Sequence, residues 1–310
     1  MDTYIAVDIG GTQLRAAVYP AGETKPLVVK RIPTKSKDQS TVDSLLDLIT
    51  SAWPAEGTVK GIGLAAPGPT NPRLGIIYNA PNIPGWKNLP LAQIVRDRFG
   101  VPAVLGNDAN MAALGEWKYG AAMGFDDVLF FTISTGIGGG IIENGELVLG
   151  SRGLAGELGH VTVYPDGPLC GCGHRGHLEA FSSGTAISNF VREQMAIGIV
   201  STLSTIHNPS AKDVSAAAVQ GDALSIKALK RAGTYFGYAL ADYLHMFNPA
   251  VVVLGGGVSR SGPYFIDPIR DAIAERVMAP EYFDELKIVS AALGDDAGLM
   301  GTYVLAQTAC

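Results

Sequence analysis

A chain of 310 residues with 47% hydrophobic content can bury one large core or two ordinary ones, and at this length two domains are the better expectation. A net charge of −6, a pI near 5.4 and the lack of any Lys/Arg cluster exclude a basic field for nucleic acid. The acidic start MDTYIAVDIGG is unlike a secretory signal and no run is apolar enough to span a bilayer, so a cytoplasmic protein that binds neither nucleic acid nor membrane is expected.

The first predicted element is a β-branched strand, IAVDIGGT at 5 to 12, whose turn Asp8-Ile9-Gly10-Gly11-Thr12 leads straight into a second strand. Glycine lets backbone N–H groups approach phosphate oxygens, Asp8 suits a hydrated Mg²⁺, and Thr12 offers a hydroxyl to a phosphate. Taken alone, the same turn reads equally well as a tight hairpin. Residues 41 to 53 carry Leu45, Leu46, Ile49 and Trp53 at helical spacing behind Ser40 or Thr41 as an N-cap. GIGLAAPG at 61 to 68 is a further strand ending in a turn, and Asn82 follows in Ala80-Pro81-Asn82-Ile83-Pro84-Gly85-Trp86.

Pro102 to Leu105 predict a short strand, after which Gly106-Asn107-Asp108-Ala109-Asn110 opens a helix over Met111 to Lys118. At such a junction Asp108 fits an N-cap, and it equally fits a base that accepts a hydroxyl proton in phosphoryl transfer. Asn107 is placed to hydrogen-bond a polyol. A domain boundary is expected near Tyr119. VLFFTISTGIGGGIIENGE then repeats the opening strand, small-residue turn and strand, with Ser134-Thr135-Gly136-Ile137-Gly138-Gly139-Gly140 as a second phosphate-type loop. Neither loop is a Walker A motif, and neither opens a helix as a dinucleotide fingerprint does.

Glu157 and His160 in Glu157-Leu158-Gly159-His160, with Glu179, add the carboxylates and imidazole that hold polyols in pairs, although singly each is an ordinary surface group. Three cysteines are too few for a disulfide framework. His160, Cys170, Cys172 and His177 form a set suited to a closed, structural Zn²⁺ site, with His174 as a competing ligand and reduced, unliganded side chains as the alternative. The hydrophobic run VVVLGGGVS at 251 to 259 ends in Gly255-Gly256-Gly257, where a base or ribose can lie on bare backbone or where strands simply pack closely. The close, LKIVSAALGDDAGLMGTYVLAQ, predicts a strand, an acidic turn and a last helix; Cys310 has no evident role.

The ordered set DIGGT, APG, NxPGW, NDAN, STGIGGG, ELGH, CGCGxxGxLE and LGGG resembles the ROK (repressor, open reading frame, kinase) family of sugar kinases over nearly the whole chain. The resemblance implies a two-lobed, actin-like or hexokinase-type α/β ATPase fold of duplicated ribonuclease-H-like domains around a cleft. Residues 1–118, rejoined by a helix at 296–310, would form the smaller domain, and 119–295, with a zinc loop at 160–179, the larger. It implies ATP-dependent, Mg²⁺-assisted phosphorylation of a hexose 6-hydroxyl, glucose foremost, with fructose, mannose, allose and N-acetylated amino sugars as alternatives. Asp108 then matches the catalytic base, and Gly68, Asn82, Asn107, Asp108, Glu157, His160 and Glu179 match sugar-binding positions. Asp8, Gly10, Gly11, Thr12, Thr135, Gly136, Gly255 and Gly256 match nucleotide-binding positions. In the family pattern CxCGxxGC the last position is cysteine, whereas here it is His177, so a two-His, two-Cys zinc site is expected. A homodimer or homotetramer is expected. A repressor of this family needs a DNA-binding segment before the first loop, where seven residues stand. A non-catalytic sensor or assembly protein would have little use for Asp108 beside the full sugar-binding set.

Overall fold

The computed structural model describes residues 1–35, 38–80 and 82–309, so Pro81 and Cys310 lie outside the described residues. In chain order the first half holds β1 (Asp2–Ile9), β2 (Gln13–Pro20), β3 (Val28–Pro33), α1 (Thr41–Ala52), β4 (Thr58–Ala66), β5 (Thr70–Asn71), β6 (Ile76–Asn79), β7 (Lys87–Leu89), α2 (Leu91–Phe99), β8 (Ala103–Asn107) and α3 (Asp108–Tyr119). The second half holds β9 (Val128–Ile133), β10 (Ile137–Glu143), β11 (Glu146–Leu147), α4 (Glu179–Ser182), α5 (Gly184–Ala196), α6 (Ala211–Val219), α7 (Ala223–Phe247), β12 (Val251–Gly255), α8 (Pro263–Arg276), β13 (Lys287–Ser290) and α9 (Ala297–Gln307).

The sequence repeat becomes a topological one. One five-stranded sheet runs β3-β2-β1-β4-β8 and the other β11-β10-β9-β12-β13. In both, the opening hairpin is antiparallel (β1 with β2, β9 with β10) and the later strands add in parallel (β4 and β8, β12 and β13). Strands covered on both faces lose the polar alternation of a half-exposed strand, which is why Val251–Gly255 is an unbroken apolar run with every residue buried. Ile5, Val7, Leu14, Leu45, Ile49 and Leu64 share one core, while Phe131, Leu229, Phe236, Leu240, Val252 and Phe265 share the other. In α1, Ser40 caps through its hydroxyl, which accepts the Asp43 N–H at 3.1 Å, and Leu45, Leu48 and Ile49 face inward. Trp53 lies just past the end of this helix, extended and stacked on Phe99 at 5.2 Å between ring centroids.

Two helices join the sheets. α9 packs on β1, β4 and β8 of the first sheet, α3 packs on β9 and β10 of the second, and the two helices pack on each other. Their backbones touch: a Cβ on Gly301 would stand 1.7 Å from the Met111 carbonyl oxygen, and one on Gly115 2.3 Å from that of Ala297. At the end of α3 the fully buried Glu116 carboxylate accepts the N–H groups of Ala121 (2.8 Å), Ala292 (3.0 Å) and Leu293 (2.7 Å). Ala121 lies where the chain leaves the first half, and Ala292 and Leu293 where it returns, so one side chain ties both crossings.

Candidate active site

Strand β8 ends at Asn107 and α3 begins at Asp108, and the cap role belongs to Asn107. Its Oδ1 accepts the N–H of Ala109 at 3.0 Å and of Asn110 at 3.1 Å, while its Nδ2 donates to the Gly68 carbonyl at 3.1 Å. The helix therefore starts three residues earlier than its apolar pattern predicts, and Asp108 is released from capping. Asp108 Oδ1 accepts the N–H of its neighbour Ala109, at 2.8 Å. Burial lifts its pKa to about 6, the Ala109 hydrogen bond opposes this, and the charges of Asp8 and Glu157 add to the rise.

A cavity of about 820 Å³ opens around this carboxyl. Gly68, Asn82, Asn107, Asp108, Glu157, His160 and Glu179 all line it, so segments spread from residue 68 to residue 179 converge on one hollow. Thr135, Gly136, Cys170 and Cys172 line it too. Glu179 is held from both sides: one oxygen accepts the Ile137 N–H of the second loop at 2.9 Å, and the other accepts from Cys170 Sγ at 3.3 Å.

The cysteine-histidine loop closes on itself through bridges pairing Thr162 with His177 and Leu169 with Arg175. The ligand atoms of His160, Cys170, Cys172 and His177 all lie within 4.8 Å of one another. Cys170 Sγ is 3.6 Å from His160 Nδ1 and Cys172 Sγ 3.2 Å from His177 Nδ1. Tetrahedral zinc with bonds of about 2.0–2.3 Å separates its ligands by about 3.3–3.8 Å, a spacing that these two Cys–His pairs approach, and the donor types suit that ion. His174 Nδ1 stands 3.7 Å from Cys172 on the outer side of the exposed loop. Burial, with His160 and His174 nearby, lowers the His177 pKa.

The first loop meets the cavity at Asn82, whose Cβ is 3.2 Å from where a Cβ on Gly11 would stand. Asp8 is not free for a cation on both oxygens, because Arg15 reaches Oδ2 through Nη2 at 2.5 Å and Nε at 3.1 Å. Arg15 also donates to the Asp295 carbonyl at 2.6 Å, just before α9. Sequence reasoning missed Arg15, although the hairpin register, which sets Asp8 opposite Arg15, contains the signal. It also missed Thr34, fully buried behind the loop, whose Oγ1 donates to the Gly10 carbonyl at 2.6 Å and whose N–H donates to the Thr12 carbonyl at 2.9 Å.

The second loop is held by the start of α5: the Gly184 N–H donates to the Ser134 carbonyl at 2.7 Å and Thr185 Oγ1 to the Thr135 carbonyl at 2.8 Å. Beside it lies a second cavity of about 730 Å³, lined by Thr135, Thr185, Arg192, Ser210, Lys212, Gly257 and Arg260 among others. Its cations were not picked out from sequence because they are scattered over 68 positions without local clustering. The third glycine loop contributes Gly257 to this wall. Gly255 is the buried last residue of β12 and is not among the residues that line this cavity. Gly256 has a φ of 83°, and a Cβ there would stand 2.3 Å from the Ile133 carbonyl oxygen, which locks the third loop against the root of the second.

Fold and cavities together define a two-lobed, actin-like sugar-kinase architecture. The family model described as "ROK family" matches residues 4–309, and the chain belongs to the ROK family. Among relatives, it is 35% identical to a glucokinase of Thermotoga maritima over 302 residues, covering 96% of this chain and 95% of the relative. A glucokinase of Halalkalibacterium halodurans is 37% identical, with 96% and 93% covered. Of solved structures, the ROK hexokinase of Thermus thermophilus superposes with a TM-score of 0.85 at 33% identity over 99% of this chain and 98% of that one. A ROK glucokinase of Streptomyces griseus in complex with glucose and AMPPNP gives 0.81 at 34%, with 99% of each chain covered. The xylose repressor of Bacillus spizizenii is more distant, at 29% identity with 72% of its length covered.

Proposed function

We propose that this enzyme transfers the γ-phosphoryl group of ATP to the 6-hydroxyl of a hexose, with glucose the preferred acceptor. The observation that carries the reading is the convergence of Asp108 and six further polyol-type residues on one cavity that shares Thr135 with a second, cation-lined one. The hexose occupies the first cavity, held by Asn82, Asn107, Glu157, His160 and Glu179. The nucleotide occupies the second, its phosphates directed toward Thr135 and Gly136 and flanked by Lys212 and Arg260.

Asp108 accepts the proton of the 6-hydroxyl as its oxygen attacks the γ-phosphorus; the bond to the β–γ bridging oxygen breaks and ADP leaves. A carboxylate with a pKa of about 6 is ionised at neutral pH yet more basic than an exposed aspartate, which suits that transfer. Charge developing on the phosphoryl oxygens meets backbone N–H groups of the first two loops, already fixed by Thr34, Gly184 and Thr185. Asp8, whose Oδ1 takes no hydrogen bond from Arg15, would hold Mg²⁺, which would supply neutralisation of the outer phosphate charge. Zinc held by His160, Cys170, Cys172 and His177 would fix the loop that carries His160 into the sugar cavity.

The test is ADP release from ATP with glucose and a panel of other hexoses, on wild type and Asp108→Ala. Hexose-dependent release, with kcat lowered by about 10² to 10⁴ in the variant and sugar affinity retained, is expected. Release that ignores the hexose, or near-normal turnover without Asp108, overturns the reading.

A further inference from the structure

We infer that Thr34 is a positioning residue for phosphate-donor binding: it aims the Gly10–Gly11 peptide of the first loop from the side opposite the ligand. The inference rests on the reading of this chain as an ATP-dependent hexose kinase. Thr34 follows β3, is wholly buried, and touches neither cavity wall. Its Oγ1 donates to the Gly10 carbonyl at 2.6 Å, and its own N–H to the Thr12 carbonyl at 2.9 Å. Its carbonyl in turn accepts from Thr41 Oγ1 at 3.4 Å, which links the arrangement to the first turn of α1.

The peptide group is planar and trans, so its C=O and N–H point in opposite directions. Once Thr34 draws the Gly10 carbonyl inward, the Gly11 N–H is turned outward. Among the described residues that N–H donates to no protein acceptor. Between two glycines little restrains the rotation, since neither residue has a side chain; the Gly10 N–H to the Gln13 carbonyl and the Thr34 N–H to the Thr12 carbonyl, both at 2.9 Å, anchor the turn on either side of this peptide without fixing it. The Thr34 hydroxyl thus decides whether the loop offers a donor or a carbonyl oxygen to an incoming phosphate. A carbonyl facing phosphate would repel it.

The experiment compares Thr34→Val, which keeps the shape and removes the donor, with Thr34→Ser, which keeps the donor. Calorimetric ATP binding, separate KM values for ATP and glucose, and thermal unfolding are read on the full chain. The Val variant is expected to weaken ATP binding and raise the KM for ATP about tenfold, the yield of one buried hydrogen bond. The KM for glucose should stay within about twofold and the Ser variant within about twofold of wild type on every reading. If the Val variant fails to fold, Thr34→Ala against Thr34→Ser gives the same comparison. Unchanged ATP affinity in a folded Val or Ala variant, an equal loss for ATP and glucose, or no rescue by serine overturns the inference. A wild-type chain that binds ATP without hexose-dependent turnover overturns the kinase reading instead, and the calorimetry still judges Thr34.

Discussion

Asp108 combines two demands that oppose each other. The base role proposed for it needs an ionised carboxylate, and its enclosure penalises one, lifting the pKa to about 6 from the usual 3.8. For the reaction the sign is simple: the base works when deprotonated, so kcat/KM should fall as pH drops through about 6 and level off above it, which a pH–rate profile reads directly. For folding the sign is the reverse. With the folded pKa above the unfolded one, the native state binds more protons between about 3.8 and 6, so this group's contribution to stability declines as pH rises through that window and its cost is complete above it. Asp108→Asn keeps an acceptor for the Ala109 N–H and carries no charge, so at pH 7.5 to 8 it should melt higher than wild type while losing turnover. A lower melting temperature for the variant at that pH would contradict the burial argument. The residues named with Asp108 from sequence line one cavity with it, while cap and base stayed open until the family resemblance favoured the base. That choice turns on one side-chain rotamer: Asn107 swings its amide over the helix end, and nothing in the order Asn-Asp favours that arrangement over the other.

At the scale of elements, the strands and turns were the readable part. Apolar runs that stop at glycine mark strands buried on two faces, and the repeat of one hairpin in each half anticipated two sheets of the same strand order. What stayed hidden were contacts between elements far apart in the chain, such as Thr34 behind the Gly10 loop, or Lys212 and Arg260 on one cavity wall. The cysteine-histidine loop lies between these cases. Its two histidines and two cysteines were legible as types at a spacing, while the convergence of their side-chain atoms to within 4.8 Å is a property of the folded loop. Purified protein should contain about one zinc per chain, and Cys172→Ser should lose it. The sugar KM should rise in that variant more than the ATP KM, because the loop carries His160 and braces Glu179. Zinc well below one equivalent in active wild type, or kinetic constants indifferent to strong chelation, would remove the metal from the account.

On the scale of the whole molecule, the two sheets meet through α3 and α9, which approach until backbone touches backbone. Replacing Gly301 by alanine improves helix propensity by about 1 kcal/mol, yet its methyl would be driven into the Met111 carbonyl. The neighbouring backbone cannot step aside as a flexible side chain would. The net effect should be a loss of about 1–3 kcal/mol, seen as a lower denaturation midpoint with an unchanged m-value. A stabilised variant would mean that the helices are free to separate. Because α3 begins at Asp108, the same displacement should lower kcat.

Glu116 gives this joint its mechanical character. A single carboxylate gathers the outgoing crossing at Ala121 and the returning one at Ala292 and Leu293, so the two halves share a fulcrum rather than a pair of independent tethers. Any rotation of one half against the other would pass through the few backbone angles beside this pivot, near residue 120, and would leave both cores as they are.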